Sequence, residues 1–291
     1  MEKFGKEIKK IREDKGIFQK SLYQDLVSRQ YGRKIEIGEN TPNTILFFNI
    51  LDRLDMSIEE FTYIFNNYSF YSKENMRYKI SIAYNNKNSR SLKNIYTTNI
   101  FPPDERYMFL KCLAHILYFD LTGQHIDSNK YYNEVNFVKD YLFNRNTWYI
   151  SEINDYTACF HIFEDEANMY LLPKCLKQLK KYSKYKTYKL MMTNLLTNFL
   201  FDTLENKREI NLSLIIKELE TIYYECLYDD FLCKFQCKFA LNCYEFFIKS
   251  NTKVVKELEY TISTLKFLNY TDKSDEMEDL LSNLEKIYLK K

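Results

Sequence analysis

The sequence predicts an all-α protein, and three observations carry that expectation. Of the five glycines in the chain, four (Gly5, Gly16, Gly32 and Gly38) precede Glu39, and Gly123 is the last. The last proline is Pro173, so from Lys174 to Lys291 neither helix breaker occurs. Apolar residues recur at i, i+3 and i+4 almost from the first residue, which is the helical period, whereas a sheet architecture needs more turn glycines than these. The glycine distribution also divides the chain. A length of 291 residues exceeds a comfortable single helical core, so a short N-terminal domain at 1–66 and a long one at 70–291 are expected.

In the first domain, Phe4, Ile8 and Ile11 form the buried stripe of a helix that stops at Lys15-Gly16. The stretch Ile17–Asn40 reads as two short helices at helix-turn-helix spacing. Leu22 and Leu26 line the inner face of the first, and Ser28 caps a second running through Arg29, Gln30, Tyr31, Arg33 and Lys34 until Gly38 ends it. Thr41-Pro42 reads as the next helix start, a capping hydroxyl before proline at the first helical position, with Leu46, Ile50 and Leu54 inside. Ser57 and Glu60 form a capping box that opens a fifth helix burying Phe61 and Ile64 or Phe65.

Periodicity lapses over Asn66–Lys73, where the linker is expected. Apolar stripes then predict helices at 73–84, 89–97, 104–121, 128–143, 148–163, 165–181, 187–204, 212–227, 229–248, 254–268 and 275–289. Consecutive pairs span about 40 residues, the period of stacked helical hairpins, so a right-handed superhelix of degenerate tetratricopeptide-like repeats is the expected architecture.

Composition narrows the function. A net charge of +2 makes no global demand for a polyanion. Residues 1–40, however, hold ten Lys or Arg against seven Asp or Glu, a surplus gathered around the second short helix. No run of eighteen apolar residues exists, so no membrane span is expected. The N-terminus reads as a charged amphipathic helix rather than an apolar leader. With seven cysteines and no C-x-x-C pair, it points to a reducing cytoplasm. Cys226, Cys233 and Cys237 are spaced to share one helix face, with Cys243 off it, and the histidines (His115, His125, His161) are scattered singly, so buried thiols are favoured over a metal site. No phosphate-cradling loop, G-x-S-x-G elbow or H-E-x-x-H helix is present, so neither an enzyme nor a cofactor is expected.

The run Ser28-Arg-Gln-Tyr-Gly-Arg-Lys-Ile-Glu-Ile-Gly38 resembles the S…K-I-E-x-G recognition segment of repressor-type (XRE) helix-turn-helix domains, and Gln19 stands where those domains often carry glutamine. The whole chain is similar to the Rgg/MutR family of regulators. This resemblance implies that Arg29, Gln30 and Lys34 face base edges in a major groove while Gln19 and Lys20 approach phosphate. Ser28 serves as the cap, and Arg33, where relatives often have Ser, has an open role. Three residues depart from the pattern: Phe18 replaces a Thr or Ser cap, Tyr23 a small Ala, and Gly32 a buried Ile or Leu. A reader destabilised by a helical glycine and a missing core side chain is therefore expected, unless Tyr31 or Tyr23 fills the space.

The resemblance also implies a homodimer on a two-fold double-stranded DNA operator and control by a short peptide pheromone, as in quorum sensing. Asn194 and Asn198 lie four apart on an otherwise apolar helix, and each offers a donor and an acceptor to an extended peptide backbone. Met191, Leu195 and Phe199 are expected to help form the wall around a short apolar peptide. A pair of buried asparagines satisfied by a neighbouring helix is the equally weighted alternative. Two other functions remain open: a protein-interaction adaptor with a degenerate helix-turn-helix, and a cysteine-based redox regulator.

Overall fold

Side-chain caps and glycine stops place the helices of the first unit. In a computed structural model, which describes residues 2–69, 72–98, 104–249 and 252–288, α1 (Glu2–Asp14) is followed by α2 (Gln19–Tyr23), α3 (Arg29–Glu36), α4 (Thr44–Arg53) and α5 (Ile58–Phe65). The Ser28 hydroxyl accepts from Tyr31 N (3.2 Å) and the Ser57 hydroxyl from Glu60 N (3.1 Å), satisfying N–H groups that a helix start leaves unpaired. One start differs from expectation. Asn43 rather than Thr41 caps α4, accepting from Leu46 N at 2.9 Å, and Pro42 is a buried residue of the approach. Asx and hydroxyl caps compete on nearly equal terms, and here the residue nearer the apolar stripe prevails.

The expected stripes meet in one core of Ile8, Leu22, Ile35, Ile50, Leu54 and Phe61, each no more than 1% exposed. Phe4 closes it from the side, its ring centroid 5.1 Å from Phe47 and 5.3 Å from Phe61. Close backbone approach fixes α1 on α3. A Cβ on Gly5 would lie 1.9 Å from the Ile35 carbonyl oxygen, and one on Gly38, whose φ is +81°, would lie 2.5 Å from Glu2 Cα. Gly38 N and Glu39 N donate back to the carbonyls of Ile35 and Lys34, so a complete Schellman turn ends α3.

Eleven further helices are described: α6 (Ser72–Asn85), α7 (Ser89–Thr97), α8 (Glu105–Thr122), α9 (Ser128–Phe143), α10 (Ile150–Cys159), α11 (Asp165–Leu179), α12 (Tyr188–Asn206), α13 (Ser213–Glu225), α14 (Phe231–Lys249), α15 (Thr252–Phe267) and α16 (Thr271–Tyr288). No strand occurs among the described residues, and the fold is all-α. The chain divides into two compact units, Met1–Ser81 and Ile82–Lys291, a division that falls within α6. Part of the expected linker (Phe70 and Tyr71), with it the expected start of the second domain, and the expected helix end at Leu289 lie outside the described residues.

Neighbouring helices pair along the second unit: α7 packs on α8, α8 on α9, α12 on α13, α13 on α14, α14 on α15 and α15 on α16. Alternate helices also touch, α10 with α12 and α12 with α14, as hairpins stacked side by side require. Buried polar groups lock the corners. Trp148 Nε1 donates to Leu142 O (3.1 Å), Tyr156 donates to Asn168 Oδ1 (2.7 Å), and the Asn168 amide donates on to Phe160 O (3.1 Å). The α12 helix is the hub. It is packed by α10, α11, α13, α14 and α16, so eleven of its residues are buried.

Candidate functional site

The reader helix α3 rests on a buried charge network. Arg12 of α1, 7% exposed, donates through Nε to Glu36 Oε1 (2.7 Å) and through Nη2 to Glu36 Oε2 (3.0 Å), a bidentate pair across 24 residues. Arg12 Nη1 also donates to Ile17 O at 2.9 Å, which fixes the turn into α2. Glu36 is 2% exposed, and its hydrogen bonds push the Arg12 guanidinium further above its ordinary value. Arg53 of α4 donates to the Leu22 carbonyl (3.0 Å) and to that of Gln24, so the carbonyl end of α2 is satisfied as well. Sequence spacing gave no sign of Arg12 or Arg53, whose partners lie far along the chain.

On that frame, Arg29, Gln30 and Arg33 are exposed and form no hydrogen bond or ion pair among the described residues, while Lys34 is half-buried with its ammonium 3.9 Å from Glu39. Lys20 is exposed at the start of α2. Gln19, expected to approach phosphate, also has a partner inside the unit. Half-buried, it donates from Nε2 to Glu36 Oε2 at 2.8 Å, so its first task is to tie α2 to the end of α3. Phe18 sits at the N-cap of α2, 78% exposed and without a side-chain cap.

Two of the three departures fit one another. Gly32 packs against the Tyr23 ring: a Cβ there would lie 2.6 Å from ring carbons Cγ and Cδ2. Tyr23 is 2% exposed and fills the space that a β-branched residue in α3 would take, so the reader lacks no core volume, contrary to expectation. Burial first, and then the neighbouring Glu36 carboxylate, push the Tyr23 hydroxyl well above its ordinary value.

In the second unit, α12 presents only a narrow open strip. Asn194 is half-buried and Asn198 exposed, and neither side chain has a hydrogen-bond partner among the described residues; the alternative of two buried, satisfied asparagines does not hold. The expected wall requires correction. Met191, Leu195 and Phe199 are 8%, 0% and 1% exposed, with Phe199 stacked on Phe160 at 4.9 Å, so they belong to the core. The exposed apolar residue near the asparagines on α12 is Leu190, one turn before Asn194.

All seven cysteines are buried and unpaired. Cys226 follows the end of α13 instead of sharing a helix with Cys233 and Cys237, another correction. Burial pushes the thiols of Cys226 and Cys233 up, and that of Cys237 up to about 12, which opposes thiolate chemistry. The histidines are less scattered than expected, since the His115 and His125 rings lie 6.3 Å apart. No group of three metal-ligating side chains occurs among the described residues, and no helix there is long and apolar enough to cross a membrane.

The family profile described as HTH-type transcriptional regulator Rgg, C-terminal domain, matches residues 93–279. The chain belongs to the Rgg family. No curated protein matches it in sequence. Solved structures match it in fold. A protein of Listeria monocytogenes EGD-e to which transcriptional regulation is ascribed superposes with a TM-score of 0.83 at 18% identity, over 98% of this chain and 97% of that one. The Streptococcus dysgalactiae SHP pheromone receptor Rgg2 gives 0.72 at 18% identity over 96% and 98%. The PrgX/cCF10 complex gives 0.69 at 16% identity over 98% and 93%. Membership makes this chain a transcriptional regulator of the Rgg type, and the similarity of fold extends over nearly all of each chain.

Proposed function

We propose that this Rgg-family member reads double-stranded DNA with α3 and changes its regulatory output when a short peptide binds the second unit. The observation that carries the DNA reading is the exposed, unpartnered set Arg29, Gln30 and Arg33 on a helix capped by Ser28 and held from beneath by Arg12, Glu36 and Gln19. Arginine and glutamine forks match guanine and adenine edges in the major groove. Lys34 and Lys20 supply positive charge beside them. Residues 1–66 are the proposed DNA-binding domain and 70–291 the proposed regulatory and dimerisation domain.

The peptide reading draws on two relatives. One is a pheromone receptor and another is bound to cCF10. Here the open strip of α12 carries Asn194 and Asn198, whose free amides can pair with the backbone of an extended peptide, and Leu190 adds an apolar flank. A homodimer on a two-fold operator, working in the cytoplasm without catalysis, completes the proposal.

The test is to incubate the full-length protein with sheared genomic DNA, recover what it binds and sequence it. Enrichment of fragments that share an inverted repeat, with half-sites separated by whole helical turns, is expected. Recovery of DNA without any common sequence would overturn base reading by α3.

A further inference from the structure

The longest stretch of one-sided charge in the chain lies outside the reader. Between Ala167 and Phe201 there is no acidic residue, yet Lys174, Lys177, Lys180, Lys181, Lys184, Lys186 and Lys189 fall within it. They occupy the last turns of α11, the 3-10 turn Lys180–Tyr182, the connection into α12 and the first turn of α12. Three of them have work inside the fold. Lys174 donates to Arg145 O (3.0 Å), Lys180 pairs with Glu218 (2.6 Å), and Lys189 pairs with Asp230 (2.6 Å).

The other four do not. Lys177, Lys181, Lys184 and Lys186 are exposed and form no ion pair or hydrogen bond among the described residues. Favourable interaction with the carbonyl end of α11 accounts for a lysine at 177 or 181, within the last turn or just beyond it. It does not account for Lys184 and Lys186, which lie past that end. None of the four has an acidic partner among the described residues. Aromatic rings are interleaved with them: Tyr185 is 51% exposed, and its centroid is 6.1 Å from that of half-buried Tyr182.

We propose that the α11–α12 connection is a second DNA contact, independent of the reader, in which Lys177, Lys181, Lys184 and Lys186 bind the phosphate backbone without reading sequence. The partner is named from charge complementarity. Exposed ammonium groups with no acid among them in the sequence complement the phosphates of a duplex, and the exposed Tyr185 offers a hydroxyl donor to phosphate or sugar. Such a contact raises affinity for any duplex by releasing counterions, while the choice of operator stays with Arg29 and Gln30 of α3.

The experiment uses the full-length protein and a random-sequence duplex of about 60 base pairs, with binding followed by fluorescence anisotropy across a potassium chloride series. The test protein carries Lys177→Gln, Lys181→Gln, Lys184→Gln and Lys186→Gln. The control loses the same charge at four exposed lysines elsewhere in the second unit, Lys207→Gln, Lys217→Gln, Lys256→Gln and Lys286→Gln. Each is also measured with Arg29→Ala and Gln30→Ala in the same chain, which separates failure of the reader from failure of this site. The first set should lower affinity by about tenfold or more near physiological salt, and reduce the slope of log affinity against log salt by about three to four, one per lost phosphate contact. The control should leave the slope near the parent's, and the difference between the two sets should persist when the reader is disabled. Equal slopes in test and control proteins overturn the proposal. So does a loss confined to phosphatidylglycerol vesicles with duplex binding intact, which would make the patch a lipid-binding surface instead.

Discussion

The ring of Tyr23 occupies the volume beside Gly32 that a larger side chain in the reader helix would need, with a separation of 2.6 Å from a Cβ built at that glycine. Two residues that each look unfavourable alone are therefore a matched pair. Replacing Gly32 with Ile should destabilise the first unit, because the side chain meets a ring that is boxed in. Tyr23→Ala should cost about 3 kcal/mol or more by opening a cavity. The double variant should cost clearly less than the sum of the two. Thermal melting of the four proteins gives the coupling; strict additivity would refute the pairing.

A second expectation concerns the charge beneath α3. Glu36→Ala leaves the Arg12 guanidinium buried with one hydrogen bond to Ile17 O and one to Glu13, and removal of one partner of such a pair costs about 3 to 5 kcal/mol. Gln19→Ala, which removes a single donor to the same carboxylate, should cost about 1 kcal/mol. Urea titrations measure both. Equal costs would mean that the bidentate pair does not set the position of α3.

At the DNA surface, Arg29→Ala and Gln30→Ala should each cost about 1 to 3 kcal/mol of discrimination between operator and random duplex. Their exposure and lack of internal partners mean that melting temperature should be unchanged. Competition binding against random DNA is the measurement, and a uniform loss on both duplexes would assign these side chains to phosphate instead.

For the second unit, Asn194→Ala or Asn198→Ala should weaken binding of a short apolar peptide by about 1 to 3 kcal/mol. Since neither amide is spent inside the protein, the variants should fold normally. Calorimetry with peptides encoded beside the regulator's gene reads the effect. Parent-like affinity in both variants would move the peptide off this strip.

Alkali should unfold the second unit. Burial pushes the thiols of Cys112, Cys175 and Cys237 each up to about 12, whereas an unfolded cysteine ionises near pH 8.5. The unfolded chain thus releases protons that the folded one keeps. Stability present below the unfolded value is lost as pH rises from about 8.5 toward 12, at up to about 1.4 kcal/mol per pH unit for each thiol. Denaturation in reductant at a series of pH values tests this, and Cys237→Ala should flatten the curve.

The helices were legible in the sequence because caps, stops and apolar period are local signals, and Ser28 and Gly38 bound the reader as their chemistry requires. Contacts made across distance were not. Arg12 and Glu36 stand 24 residues apart, and nothing in either segment announces the other. Spacing offered both Tyr31 and Tyr23 as rings that could fill the space beside Gly32 and could not choose between them, so two compensating residues read as two defects. On α12 the difficulty was different. A helix buried on most of its circumference has no single apolar face, so spacing could not tell Leu195 or Phe199 of the core from residues of a wall. The polar Asn194 and Asn198 mark part of its open side.

The last described helix returns to the hub: the Tyr288 hydroxyl donates to Leu204 O at 2.7 Å and Asn283 donates to Glu205 at 3.0 Å, closing a span of more than seventy residues. Hairpins elsewhere in the unit can form as they are made, from neighbours already synthesised. The carbonyl end of α12 cannot. It leaves the ribosome 78 to 84 residues ahead of the partners that complete it and waits for residues 283–288, so one end of the hub helix is finished only after α13, α14 and α15 have been translated. Assembly of the second unit therefore ends where its middle began.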